Sequence, residues 1–292
     1  MTSSSLARRS AHSRRRERFD LAMRGVLLLA VLLAVVPLAS ILLVVVASGI
    51  GAMSWEFLTS TQPLSFREVG GGFLHGLVGT TMMLGIAILI AVPLGIAAAV
   101  FLTEYPEHRL TRPVRFFTDV MTGVPSIFVG LFVYAALVRE AGLGFGTLPG
   151  GVALSILMLP IVVRSAEEIL RLVPADLRSA STAMGARRWQ TTLFVVIPAA
   201  ASGLVTGVML AVARGAGETA PLILTAFGTP YLVTALTGEP QTALPLLIFE
   251  GARLPFPAAQ ARAWAGALEL MVLVLVLTLL ARWIGGRNRY GR

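Results

Sequence analysis

Long apolar runs alternate with short polar intervals along the chain. Gly25 to Val46 is the first run, and Leu77 to Phe101 the second, with Pro93 and Gly95 inside it. Phe116 to Val138 is the third, interrupted by the tetrapeptide GVPS. Val152 to Val163 is the fourth, shorter at its apolar core and dependent on its flanks to span. Ile197 to Ala213 continues into Pro221 to Phe227 as the fifth, and Ala263 to Ile284 is the sixth. A helix of about 20 residues crosses a hydrocarbon core of roughly 30 Å. Within that core the backbone has to satisfy itself, which a helix does. The pattern predicts an all-α polytopic membrane protein with six transmembrane helices.

Composition agrees. Apolar residues make up 56% of the chain and charged residues 13%, against about 25% charged in an average soluble domain. The formal charge is +9, and every basic residue is an arginine. Placement of these arginines orients the spans. Nineteen fall in the segments up to Arg24, from Arg109 to Arg115, from Arg164 to Arg188 and from Arg282 onward; four fall in the alternate segments, at Arg67, Arg139, Arg253 and Arg262. The richer side is the inner one, which predicts cytoplasmic N- and C-termini and a plasma (inner) membrane location.

The expected organisation is an arginine-rich tail (1–24), a first span (25–48), a five-helix core (71–285) containing a polar loop (166–196), and a C-terminal tail (286–292). Arginines ahead of an apolar run also mark signal peptides. Here the run from Gly25 reaches 22 residues and no small-x-small cleavage site follows soon. The segment is therefore read as a retained span, its arginines anchored at anionic lipid rather than at nucleic acid.

Several functions are excluded. The chain has no cysteine, and its three histidines, His12, His75 and His108, are scattered; no metal site is expected. Without lysine no phosphate-cradling Walker loop can form, so any ATP hydrolysis belongs to another subunit. No constellation of side chains suggests an enzyme.

Two polar features remain. In the loop between the fourth and fifth runs, Pro174 suits the first turn of a helix and Asp176 its positive end. Leu177, Ser181 and Met184 share a face beside Ala180 and Ala183, and Gly185 offers a left-handed stop. This predicts a short inner-side helix. Two readings stay open, a docking face for another protein or an interfacial helix anchored by Trp189 and the arginines.

The second feature is ARGAGETAPLILTA, Ala213 to Ala226, which holds the one arginine inside a span. On a helix Arg214 and Glu218 share a face, about 6 Å apart along the axis. Gly215 and Gly217 permit close packing or unwinding, and Pro221 interrupts the backbone ladder. An intramembrane charge pair marks either a solute path or a structural bridge. Asp119 and Glu269 are candidate charge partners for Arg214 or for a partner subunit. Ser126, beside Pro125, and Thr80 are candidates for the path, with bonding to a helix carbonyl as the plainer use of each. GLVTG, Gly203 to Gly207, is a small-xxx-small face expected to pack on a neighbouring helix.

The loop resembles the signature of ABC-importer permeases in Ala180, Gly185, Val195, Ile197 and Pro198, with Ser179 and Ser181 where that family has Glu and Ala. ARGAGETAPLILTA, GVPSIFVGLF and PLGIAAAVFLTEY resemble phosphate-importer permeases of the PstA type over roughly Gly71 to Gly285. The resemblance implies a type I importer permease fold. It also implies a coupling helix, Ala175 to Met184, that docks on an ATPase subunit. Arg214, Glu218, Ser126 and Thr80 would lie along the translocation path. No cofactor would be bound by this chain, ATP and Mg being held by the ATPase. The implied partners are a homologous permease (PstC type), two ATPase copies (PstB type), an external phosphate-binding protein (PstS type) and the lipid bilayer. A permease for molybdate or sulfate, and a self-sufficient secondary transporter, are the competing readings.

Overall fold

The computed structural model describes residues 3–286; for residues 3–15, Arg18, Ile284 and Gly286 it describes the backbone alone. Of the expected C-terminal tail, 287–292 lies outside the described residues. The chain forms two compact units divided after Ser48. The first is essentially one helix, α1 (Ser3–Gly49), which begins within the arginine-rich segment and runs through Pro37. Its stretch Phe19–Gly49 is long and apolar enough to cross a membrane.

The second unit is helical apart from its loops. In order it contains α2 (Trp55–Thr59), α3 (Leu74–Glu104), α4 (Thr111–Gly123), α5 (Ser126–Val133), α6 (Thr147–Arg171), α7 (Ala175–Ala183), α8 (Arg188–Thr191), α9 (Ile197–Ala216), α10 (Ala220–Thr225), α11 (Leu244–Arg253) and α12 (Pro257–Gly286). Among the described residues, α1, α3, α6, the α8–α9 rod Arg188–Ala216 and α12 are long and apolar enough to span individually. The third run is different. It is a pair of helices, α4 and the segment Ser126–Glu140, bent by 104° at their junction. The break falls at Val124 and Pro125, where ψ values of 126° and 135° leave the helical region. A residue preceding proline is pushed there sterically.

The fourth run, the least apolar, is the axis of the unit. Most of α6 is buried, including Thr147, Ser155 and Glu167. Protein rather than lipid surrounds it, so polar side chains are tolerated along it. Neighbours approach it through glycine. A Cβ on Gly95 of α3 would lie 2.6 Å from Val162, one on Gly203 of α9 2.7 Å from Ile169, and one on Gly207 2.5 Å from Ser165. The GLVTG face is thus the seam between α9 and α6. From its own side, α6 places Gly150 and Gly151 against Met83 and Ile86 of α3. Pro198 lies inside the α8–α9 rod, and the turn before it, Thr192–Val196, is π-helical. Such a bulge accommodates the missing donor.

The loop from Gly228 to Ala243 is ordered by one buried side chain, Gln241. Its amide donates to Thr147 Oγ1 (3.1 Å) and to the Val233 carbonyl (2.9 Å). Its backbone N–H donates to Ala226 O (3.0 Å), and its carbonyl accepts from Gly228 N–H (3.0 Å). Phe227, bridged to Gln241 by those backbone bonds, has φ of +76° and its ring stacks on Phe145 at 4.7 Å. At the same end, buried Arg262 of α12 donates to the carbonyls of Phe66 (3.2 Å), Glu68 (2.5 Å) and Gly70 (3.2 Å), fixing the loop that leads into α3.

Glycine packing makes a direct prediction. A Cβ on Gly130 of α5 would lie 2.6 Å from the Cα of Pro221, so Gly130→Val should destabilise by about 1–3 kcal/mol. Gly85, within α3, has nothing within 4 Å of that position, and Gly85→Ala should be neutral or stabilise by up to about 1 kcal/mol. Thermal unfolding midpoints of the detergent-solubilised protein check both.

Candidate functional site

The central feature is a break in the fifth span. α9 ends at Ala216, Gly217 caps it with φ −93° and ψ −2°, and α10 restarts at Ala220 with Pro221 in its first turn. Glu218 therefore lies in the turn, its N–H donating to Gly215 O at 3.3 Å, rather than within a continuous helix. A Cβ on Gly215 would lie 2.8 Å from Met158 Sδ and 3.6 Å from Leu84. The break is thus seated at the depth of the middle of α6.

Arg214 Nε lies 3.4 Å from Glu218 Oε1, with Arg214 61% and Glu218 18% exposed. This is one long contact, not a bidentate pair. Among the described residues the two Nη groups of Arg214 have no recorded hydrogen bond or ion pair. The guanidinium is an open fork, and its planar donors suit a tetrahedral oxyanion. α5 lies against α10 where Gly130 meets Pro221. Ser126, half-buried one turn before Gly130, is thus on the element adjoining the break.

The other expected residues are placed differently. Thr80 is buried, and its hydroxyl accepts from the Leu244 N–H at 2.8 Å. It satisfies a donor in the first turn of α11, one of the groups a helix cannot satisfy itself. Its hydroxyl is thus engaged at α11, the plainer, structural use of the residue. Asp119 pairs with Arg164 of α6, not with Arg214. Glu269 is buried in α12, and neither carboxylate oxygen has a hydrogen-bond partner, so it does not pair with Arg214 either.

At the opposite end of the unit lies α7. It runs from Ala175, capped by Pro174 with Asp176 in its first turn, to Ala183 with Met184 as the C-cap. Gly185 follows with φ of +84°, where a side chain would be strained. The helix buries none of its residues. Leu177 and Met184 are exposed, Met184 by 89%, and Ala180 is exposed beside them. Ser181 is the exception on that face, its hydroxyl 2.9 Å from Thr191 Oγ1 of α8.

Sequence reasoning missed the ion pairs around α7. Buried Glu167 accepts from Arg115 of α4 (2.6 Å) and Arg171 (2.5 Å). Arg178 of α7 pairs with Glu104, the last residue of α3, and donates to the Leu170 carbonyl at 2.9 Å. Arg115 and Asp119, one turn apart on α4, meet Glu167 and Arg164 in reverse order on α6, so α4 runs antiparallel to α6. The Glu167–Arg171 pair was legible from its i, i+4 spacing. The others join separate elements and leave no local trace.

A bundle of membrane-spanning helices with a charged break in one span and an exposed short helix at one end defines the membrane subunit of a transporter. The chain belongs to the family of binding-protein-dependent transport system inner membrane components, whose model matches residues 91–290. It is similar to the phosphate transport system permease protein PstA 1 of Mycobacterium tuberculosis, 38% identical over 88% of this chain and 86% of that protein. It is similar also to PstA of Haemophilus influenzae, 37% identical over 89% of this chain and 91% of the relative. Among solved structures, the inward-facing MetNI methionine ABC transporter matches with a TM-score of 0.59. That match is 20% identical and covers 75% of this chain and 95% of the other. It shows the shared fold of an ABC importer permease.

The capping use of Thr80 is testable. Thr80→Val strands the Leu244 N–H and should cost about 1–3 kcal/mol. Thr80→Ser should keep most of the stability. Unfolding midpoints should separate the two variants; equal midpoints would remove the cap from the account.

Proposed function

We propose that this chain is the permease subunit of an ATP-driven phosphate importer and that Arg214 is a solute-contacting group in its path. The single observation that carries the role of Arg214 is its open guanidinium, set at a break in a membrane span. A charge there is retained at a cost unless it meets protein, a counter-charge or water. Glu218 supplies a weak counter-charge. It holds the guanidinium loosely and prevents the site from becoming a deep anion trap, which suits a conduit that must also release its solute. The names of the similar proteins supply phosphate as the anion.

The remaining parts of the machine are partners. A homologous permease covers the open side of the path, and two copies of an ATPase subunit bind and hydrolyse ATP on the inner side. An external binding protein delivers phosphate. α7, with its exposed Leu177, Ala180 and Met184, is the contact with one ATPase. The N- and C-termini are cytoplasmic. The chain itself performs no hydrolysis.

Reconstitution of the four components in proteoliposomes tests this. ATP-dependent uptake of radiolabelled phosphate should resist competition by sulfate and molybdate. Arg214→Ala should reduce uptake about ten- to a hundredfold, the equivalent of one charge-assisted contact of roughly 1.5–3 kcal/mol, with the complex intact. Arg214→Lys should recover only part, since a point charge does not replace a fork. Undiminished uptake by Arg214→Ala would remove the arginine from the path. Movement of sulfate or molybdate in preference would replace phosphate as the solute.

A further inference from the structure

We infer that the Glu104–Arg178 ion pair is the link through which displacement of α7 reaches the membrane-spanning core. The inference rests on the proposed reading of α7 as the ATPase contact. α7 buries no residue of its own and rests against α8 and the π-helical turn Thr192–Val196, so it reaches α3 and α6 without burying a side chain between them. Its polar ties are few. Ser181 touches Thr191 of the next helix, and Arg178 reaches back to the core.

Arg178 makes two contacts with one guanidinium. It pairs with the carboxylate of Glu104, and its Nη2 donates to Leu170 O at 2.9 Å. Glu104 ends α3 and Leu170 lies in the last turn of α6. The Leu170 carbonyl lies in the last turn, where the Val173 N–H donates to it at a distant 3.4 Å and a cation is favourable. The side chain thus clamps together the ends of the two helices that form the centre of the bundle. The pair is also better shielded than Arg164–Asp119, another pair between elements. Its partners are 26% and 15% exposed, against 46% and 44% for Arg164–Asp119. Shielding from water strengthens and stiffens an ion pair.

The surroundings leave room for motion. A cleft of about 880 Å³ lies alongside, lined by Glu104, Tyr105, His108, Leu172, Arg178 and Arg188 among others. Between α7 and the turn after α3 there is open volume rather than packed side chains. Motion of α7 therefore reaches α3 through the ion pair, α6 through the Leu170 contact and the short connection Leu172–Pro174, and the fifth span through α8. Arg178 is a positioning residue in this sense: it touches neither solute nor nucleotide.

The absence of cysteine makes site-specific labelling simple. Spin labels at exposed Leu89 of α3 and Leu279 of α12 report the position of α3 in the reconstituted four-component complex, with and without ATP. The wild type should show an ATP-dependent change in their separation. Arg178→Gln and Glu104→Gln should each abolish that change, and phosphate taken up per ATP hydrolysed should fall about tenfold while the ATPase subunits stay bound. The exchange Glu104→Arg with Arg178→Glu restores the pair but loses the donor to Leu170 O, and should recover only part of both signals. A preserved separation change and a coupling ratio within twofold of wild type in the single variants would overturn the link. If ATP moves α3 in the wild type without phosphate uptake, the phosphate reading fails, and the label separation still decides the link.

Discussion

Everything in the second unit depends on how closely helices can approach α6. That helix is enclosed by α3, α9, α4, α5 and α10, and the approach of α3 and α9 is set by glycines that leave no space for a side chain. In a membrane, apolar association gains little, because lipid is as apolar as leucine. Dispersion contacts between closely fitted backbones have to do that work instead. Gly95 against Val162, Gly151 against Ile86 and Gly207 against Ser165 are the places where they do. An axis enclosed in this way can carry a buried Ser155 along its length and a buried Glu167 near its end, which a lipid-facing helix could not.

Charge is distributed over this frame in two opposite styles. At the α7 end, Glu104, Asp119 and Glu167 are each matched with one or two arginines, and the pairs tie α3, α4, α6 and α7 into one assembly. At the break in the fifth span, Arg214 is held by one long contact and keeps its outer donors available. Closed pairs transmit force, and an open one receives a ligand. The same residue type serves both ends because its charge is fixed at every physiological pH, so neither arrangement depends on protonation of the basic partner.

Much of this was legible before any coordinates. Span number followed from run length, and the break at GVPS from the steric effect of Pro125 on Val124. The short helix Ala175–Ala183 followed from Pro174, Asp176 and Gly185, all of which act on their own backbone. The packing of GLVTG followed from residue size. What was not legible depends on register between elements. Asp119 was open to several partners because the antiparallel alignment of α4 with α6 is a tertiary fact. Thr80 carried the same sequence signal whether it lined a path or capped α11. The 104° turn between α4 and α5 has a local cause for its position, but its size is set by what each arm packs against: α4 by its two ion pairs with α6, α5 by Gly130 on Pro221. Even Glu218, correctly placed near Arg214, lies in a turn that its spacing alone described as helix.

Arg262 gives the loop before α3 an unusual mechanical property. Its guanidinium gathers three backbone carbonyls from Phe66 to Gly70, so the loop is fastened through its main chain. The loop's position is locked to the first turns of α12, with Arg67 set over the Phe256 ring as a further contact. Any tilt of α12 carries the loop with it as a lever arm. A molecule resting on that surface would sense the attitude of the helix beneath it, and would exert torque on that helix in return.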